Sequence, residues 1–221
     1  MDKYFFESNG YLILPKIINF DDEFKQENQK IINSREKNLG ILSYRNKSDI
    51  EIRETDQTSL TNKNCSSRYK HPLYEKIHFF LKEKIENLLE KKIYPTFYFD
   101  RIYMPNSELK PHTDRNSCEI SVTLHIKTNL KKPWLIYFRD YQNMEVGIDL
   151  LPGDAILYKG IDLLHWRNPL PTRHNDIYSK VRKCFNIADD TYYHQAFFNY
   201  VLSDGPNIQH SWDCYKEHIS I

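Results

Sequence analysis

The residue types best suited to chemistry stand in two short runs, Leu109-Lys110-Pro111-His112-Thr113-Asp114-Arg115 and Leu163-Leu164-His165-Trp166-Arg167. An imidazole and a carboxylate two residues apart, joined by a second imidazole from a distant run, form the donor set that holds non-haem Fe(II). Three ligands on one face of an octahedral ion leave the opposite face open to a cosubstrate and O2. His112, Asp114 and His165 are therefore the candidate metal ligands and the candidate catalytic residues. Zinc competes, because three protein ligands plus water also describe a catalytic zinc site. The candidate shell holds no cysteine, however, and an open two-histidine, one-carboxylate set suits Fe(II) better.

A strand must present the first pair, since alternate strand residues share a face and so point His112 and Asp114 the same way. His165 opens a later strand, and Pro152-Gly153-Asp154-Ala155-Ile156-Leu157-Tyr158 reads as a turn and strand returning the chain to the ligand-bearing end. The pattern is β from residue 96 onward, with strands expected near 96–104, 109–114, 118–127, 133–139, 147–151, 154–159, 163–168 and 194–203. Upstream, 11–14 reads as a short strand and 21–38 as a polar helix with Phe24, Ile31 and Ile32 inward. Pro72 suits the first turn of a helix. Leu73, Ile77, Phe80, Leu81, Ile85, Leu88 and Leu89 then recur at three- and four-residue steps, an apolar stripe meant for a sheet. The polar stretch 41–70 reads as an irregular segment, a functional loop or disordered.

The fold expected is mostly β with flanking α: a double-stranded β-helix (jelly roll) barrel buttressed by N-terminal helices. One domain would span 1–221, with helical support and the polar loop in 1–95, the jelly-roll core in 96–203 and a C-terminal tail in 204–221. A chain of 221 residues suits a single sizeable core.

Composition narrows the function classes. Thirty-one basic against 30 acidic residues give a net charge of +1, so the basic surface that phosphate backbones require is missing and no nucleic acid is expected. Cys65, Cys118, Cys184 and Cys214 show no C-x-x-C spacing, which argues against a zinc ribbon and fits a reduced protein. The acidic start, the short apolar run 11–14 and the lack of any stretch near ~18 apolar residues argue against a signal peptide or membrane span. A soluble, cytoplasmic protein is the expectation.

The chain resembles the Fe(II)/2-oxoglutarate-dependent oxygenases, in branches similar to prolyl 4-hydroxylase and phytanoyl-CoA hydroxylase. The residues carrying the likeness are Asn9-Gly10-Tyr11-Leu12-Ile13-Leu14-Pro15, Arg101-Ile102-Tyr103 leading into His112-x-Asp114, Pro152-Gly153-Asp154-Ala155 and His165-Trp166-Arg167. It covers the β half well and the N-terminus loosely, with no specific motif over 16–95. The resemblance implies Fe(II), 2-oxoglutarate and O2, release of succinate and CO2, and hydroxylation of a C–H bond on a small-molecule or peptidyl substrate.

The far carboxylate of 2-oxoglutarate would then need a cation, and arginine offers a fixed fork of donors for it. Arg167, two residues past His165, shares its inward face and lies deeper in the barrel. The family commonly places this cation on the following strand, yet His194–Tyr200 offers no Arg or Lys. Arg173 lies nearer that spacing but in a run that reads as loop, and Arg101 is a third candidate. Tyr103 shares a face with Arg101 and could give a phenol to the same carboxylate.

Ser121 and Thr123 alternate with apolar residues and suit either a polar lumen or a solvent face. Trp166 is expected beside the site and Trp134 in the core, while Arg115 and Glu119 could brace the metal turn as an ion pair. The loop 41–70 and the insert 172–193 could form the substrate pocket or a lid. Two other readings remain. One is a cupin-like metalloenzyme without 2-oxoglutarate, which has no need of a buried cation at the depth of Arg167. The other is a non-catalytic β-sandwich binding module with incidental histidines.

Overall fold

Period-two alternation builds the sheets. The computed structural model describes residues 2–35, 40–44, 50–53, 64–172, 178, 181, 182, 184, 185 and 189–215. The strands are β1 (Tyr11–Leu14), β2 (Gly40–Tyr44), β3 (Ile50–Arg53), β4 (Cys65–Tyr69), β5 (Ile93–Tyr103), β6 (Leu109–His112), β7 (Ile120–Thr128), β8 (Ile136–Arg139), β9 (Glu145–Ile148), β10 (Ala155–Tyr158), β11 (His165–Arg167) and β12 (Tyr193–Leu202). The larger sheet has the order β1-β10-β7-β12-β5-β4-β2-β3 and the smaller β6-β11-β8-β9. All pairings are antiparallel except β2 with β4.

The sheets face each other through aromatic side chains. Tyr11 and Tyr158 of the larger sheet meet Phe138 of the smaller at ring-centroid distances of 5.6 and 5.3 Å. Further along, Tyr103 and Tyr193 each lie 5.0 Å from Trp134. The expected mostly-β architecture with flanking helices is present, and strand ends differ from expectation by up to three residues.

Helices cover the outer face of the larger sheet. In α1 (Asp2–Asn9), which has no expected counterpart, Phe6 is buried. Helix α2 (Asp22–Asn33) is shorter than expected; Asp21 caps it by accepting from Phe24 N at 2.7 Å. Pro72 opens a 3-10 turn rather than the helix itself, and α3 (Glu75–Leu89) follows it. Glu90 in the left-handed region (φ 54°) stops α3. Leu81, Ile85 and Leu89 face the sheet as expected, whereas Phe80 points outward.

The expectation of an irregular segment over 41–70 is overturned at 41–44, 50–53 and 65–69, where β2, β3 and β4 extend the larger sheet. Its residues 45–49 and 54–63, the insert's 173–177, 179, 180, 183 and 186–188, and 216–221 lie outside the described residues. Strand β4 is hard to recognise because Ser66, Ser67 and Arg68 are polar yet buried. Two of the three have partners inside the sheet: Arg68 Nε donates to Asp100 Oδ1 at 3.1 Å, and Ser67 Oγ accepts from Arg101 Nε at 2.8 Å. Among the described residues, no helix is long and apolar enough to cross a membrane.

Candidate active site

Antiparallel pairing of β6 with β11 sets His112 directly opposite His165, with ring centroids 4.2 Å apart. Asp114 lies just past the end of β6, in a turn anchored by its own N–H, which donates to Gly160 O at 2.8 Å. Its Oδ1 is 3.5 Å from His112 Nε2 and 3.7 Å from His165 Nε2. One ligand atom from each of the three lies within 4.8 Å of the others, close enough to bind one ion together.

Backbone carbonyls fix which nitrogens face inward. His112 Nδ1 sits 2.8 Å from Lys110 O and His165 Nδ1 2.9 Å from Leu163 O. A carbonyl only accepts, so each Nδ1 carries the proton and each Nε2 keeps its lone pair for a metal, the usual way a protein orients a ligating imidazole. Burial lowers the His165 pKa below the ordinary histidine value, which keeps that ring neutral. Ser121 Oγ donates to Asp114 Oδ2 at 3.2 Å, leaving Oδ1 turned to the histidines. Gly160 makes this packing possible: a Cβ there would lie 2.3 Å from Cys118 O and 2.6 Å from Asp114 Oδ2.

Arg167 is 1% exposed on the same strand as His165. It donates through Nη1 to Trp134 O and through Nη2 to Gln195 Oε1 at 2.9 Å and Tyr193 Oη at 3.4 Å. Its guanidinium lies 4.6 and 4.7 Å from the ring centroids of Trp134 and Tyr193. Among the described residues no carboxylate pairs with it. A buried cation without a counter-ion is costly, so this pocket favours an anion.

The neighbouring polar atoms agree. Arg167 Nε, Thr123 Oγ1, Gln195 Nε2 and His125 Nε2 are buried and, among the described residues, without a hydrogen-bond partner, and the buried Tyr103 phenol lies beside the Arg101 guanidinium. Most of them can donate, and buried donors seldom go unsatisfied. Strand register places them on one inner surface: Gln195 is opposite His125, Tyr193 opposite Tyr103 and Phe197 opposite Thr123. The donor set at the metal position and the orphaned donors around Arg167 both fit Fe(II) with a bidentate dicarboxylate.

The other candidate residues fall as follows. Tyr103 is on the surface of the Arg167 pocket. Arg101 sits one register step nearer the middle of β5, over the rings of Phe99, Tyr103 and Phe197. Arg173 lies outside the described residues. Ser121 and Thr123 face the lumen, 1% and 0% exposed. Trp166, expected beside the site, instead points away and stacks on Tyr137, because strand alternation puts residue 166 opposite in sense to 165 and 167; Trp134 is in the core as expected and also covers Arg167. Arg115 and Glu119 form no ion pair, since Arg115 lies over Phe97 and Glu119 accepts from Leu202 N.

Gln195, Tyr193 and His125 were absent from the sequence reading. Their signal lay in the alternation of His194–Tyr200 and Ile120–Ile126, but a search of those strands for cations passes over neutral donors.

No protein-family model and no curated protein matches the chain. Solved structures do match it over 90% of its length. A prolyl-4-hydroxylase from Pseudomonas putida aligns over 96% of its own chain with a TM-score of 0.58 and 10% identity. HygX from Streptomyces hygroscopicus, with nickel, 2-oxoglutarate and hygromycin B bound, aligns over 85% with a TM-score of 0.58 and 9% identity. A Trichoplax adhaerens prolyl hydroxylase, in complex with a hypoxia inducible factor peptide, aligns over 87% with a TM-score of 0.57 and 14% identity. At these identities the likeness concerns architecture, and on it this chain carries the fold of the Fe(II)/2-oxoglutarate oxygenases.

Proposed function

We propose that the protein is an Fe(II)- and 2-oxoglutarate-dependent dioxygenase that hydroxylates a substrate C–H bond, its two sheets forming a double-stranded β-helix. The observation that carries this reading is the pairing, in one lumen, of the His112–Asp114–His165 cluster with a buried Arg167 that lacks a counter-ion. A metal-only enzyme of the cupin kind accounts for the cluster and leaves the cation without a purpose.

Fe(II) would be held by Nε2 of His112, Nε2 of His165 and the Asp114 carboxylate. Arg167, with Tyr103, Thr123 and Gln195 around it, would take the distal carboxylate of 2-oxoglutarate. Bound together, iron and cosubstrate supply the oxidising power: O2, 2-oxoglutarate and a C–H bond become succinate, CO2 and an alcohol. The protein supplies orientation and dryness. Arg167 is already held by Trp134 O and by two aromatic faces, so little side-chain freedom is lost when a carboxylate arrives. Trp134 and Tyr193 shield it from water, which strengthens the charge pair. HygX and the Trichoplax enzyme, with a small molecule and a peptide bound, support a substrate of either kind here.

Anaerobic titration with Fe(II) and then 2-oxoglutarate tests the reading through the visible charge-transfer band of the chelate. The wild-type protein is expected to develop the band at one equivalent of iron, and His112→Ala or Asp114→Ala to abolish it. Arg167→Gln is expected to retain iron but to weaken 2-oxoglutarate by about 10- to 100-fold, the loss of a charged hydrogen-bond pair. Undiminished affinity in Arg167→Gln would move the distal carboxylate to another cation, and absence of any band in the wild type would end the proposal.

A further inference from the structure

One wall of the lumen lies between the metal cluster and the Arg167 pocket, and borders the latter through Phe197 and Tyr103. On the inner face of β4, β5 and β12, Tyr69, Phe97, Phe99 and Phe197 form a continuous stack. Successive ring centroids are 5.7, 6.1 and 4.4 Å apart, and each pair lies within 25° of parallel. The stack begins beside the metal ligands, because Arg115, the residue after Asp114, holds its guanidinium 4.4 Å from the Phe97 centroid. It ends under Arg101, whose guanidinium is 5.4 Å from the Phe99 centroid and 6.0 Å from that of Phe197. Arg101 Nε is engaged by Ser67 Oγ at 2.8 Å, and no carboxylate among the described residues pairs with this half-buried cation.

We propose that this wall is the substrate site. Arg101 would read an oxyanion, a carboxylate or a phosphate, on a substrate whose flat or apolar body rests against Phe97, Phe99 and Phe197. The inference rests on the oxygenase reading for its chemistry but not for its binding. Aromatic faces accept rings and aliphatic surface, and stacked rings fix the plane of a guanidinium whose Nη edge then meets an oxyanion in two parallel bonds. Arg101 borders the cosubstrate pocket, 5.7 Å from the Tyr103 ring centroid, but Arg167 has its own phenol and amide partners there in Tyr193 and Gln195. A substrate lacking the oxyanion would leave Arg101 unpaired as it is desolvated, and sites of that type discriminate strongly.

The test is calorimetric titration of the anaerobic protein, once saturated with Fe(II) and 2-oxoglutarate and once with neither. The probes are phenylalkanoic acids of increasing chain length, the matching phenylalkyl phosphates and the matching primary amides. At least one acid or phosphate is expected to bind with 2-oxoglutarate present, at least about tenfold more tightly than its amide. The better of the two anionic series identifies the oxyanion. Arg101→Gln is expected to reduce the anion to the affinity of the amide, and Arg101→Lys, which keeps the charge, to retain part of the preference. Equal binding of anion and amide, a preference that survives Arg101→Gln, or no binding by any probe would overturn the proposal. A preference that is lost in Arg167→Gln but kept in Arg101→Gln would also overturn it, by placing the probe in the cosubstrate pocket. An Arg101-dependent preference without a chelate band would instead retire the oxygenase reading and leave the anion site standing.

Discussion

Gly160 shows how closely single residues set the candidate metal cluster. Its missing side chain leaves room for Cys118 O, Asp114 Oδ2 and Ser121 Oγ, all within 2.7 Å of where a Cβ would stand. Gly160→Ala is therefore expected to push the Asp114 carboxylate off its line to the histidines. Outer contacts of this kind typically contribute 10- to 100-fold to metal affinity, so competition with a chromophoric chelator should show a loss of about that size. Unchanged iron affinity in Gly160→Ala would mean that Asp114 is not positioned by this turn. The three candidate ligands were legible in the sequence because a strand's period of two makes His-x-Asp a shared face. The surroundings of Arg167 were not legible, since Trp134, Tyr193 and Gln195 come from strands far apart in the chain and carry no charge to draw notice.

At the scale of elements, helix α3 couples the fold to pH through His78. The ring is fully buried, with Nε2 3.1 Å from Asn199 O and Nδ1 3.0 Å from Tyr215 Oη. The carbonyl must accept from Nε2–H, so Nδ1 accepts from the phenol and the ring is neutral. Burial pushes its pKa down to about 3. The unfolded chain, with an ordinary histidine near ~6.5, therefore takes up a proton first as the solution is acidified. Stability from this site is complete above pH ~6.5 and falls as pH drops towards about 3, by about 2 kcal/mol at pH 5. Urea unfolding at pH 7.5 and 5 should show that His78→Gln, which cannot titrate, loses about 2 kcal/mol less on acidification than the wild type. Equal losses in the two proteins would contradict it. The amphipathic stripe made α3 legible, whereas β4 stayed hidden because Arg68 is buried against Asp100 of the neighbouring strand. Burial pushes the Asp100 carboxyl up, yet Arg68 and His194 hold it down at about 2. A buried ion pair between strands has no local sequence signature; it reads as polar loop until the partner strand is in place.

For the molecule as a whole, the two sheets are joined across the lumen by the same groups that would bind iron and 2-oxoglutarate. His165 meets Tyr158 at 4.9 Å, and Arg167 bonds Gln195, each contact spanning the sheets. Ligands that fill this space bind only the folded chain and should raise its melting temperature. At a hundred times the dissociation constant the gain is about 2.7 kcal/mol per ligand, readable as a concentration-dependent shift in Tm. Fe(II) with 2-oxoglutarate should shift Tm by more than the sum of the two separate shifts, and that excess should shrink in Arg167→Gln; additive shifts in both proteins would mean that the two ligands bind apart. The β architecture of the C-terminal half was legible from alternation and turn residues. How the polar N-terminal segment joins the larger sheet was not, because β2 lies parallel to β4, a pairing that no hairpin turn announces.

Anomalous diffraction at the iron edge, from crystals of protein loaded with one equivalent of Fe(II) without oxygen, would locate the metal. A single iron peak is expected in bonding contact with Nε2 of His112, Nε2 of His165 and a carboxylate oxygen of Asp114. Iron bound elsewhere, or no ordered iron at all, would contradict that placement.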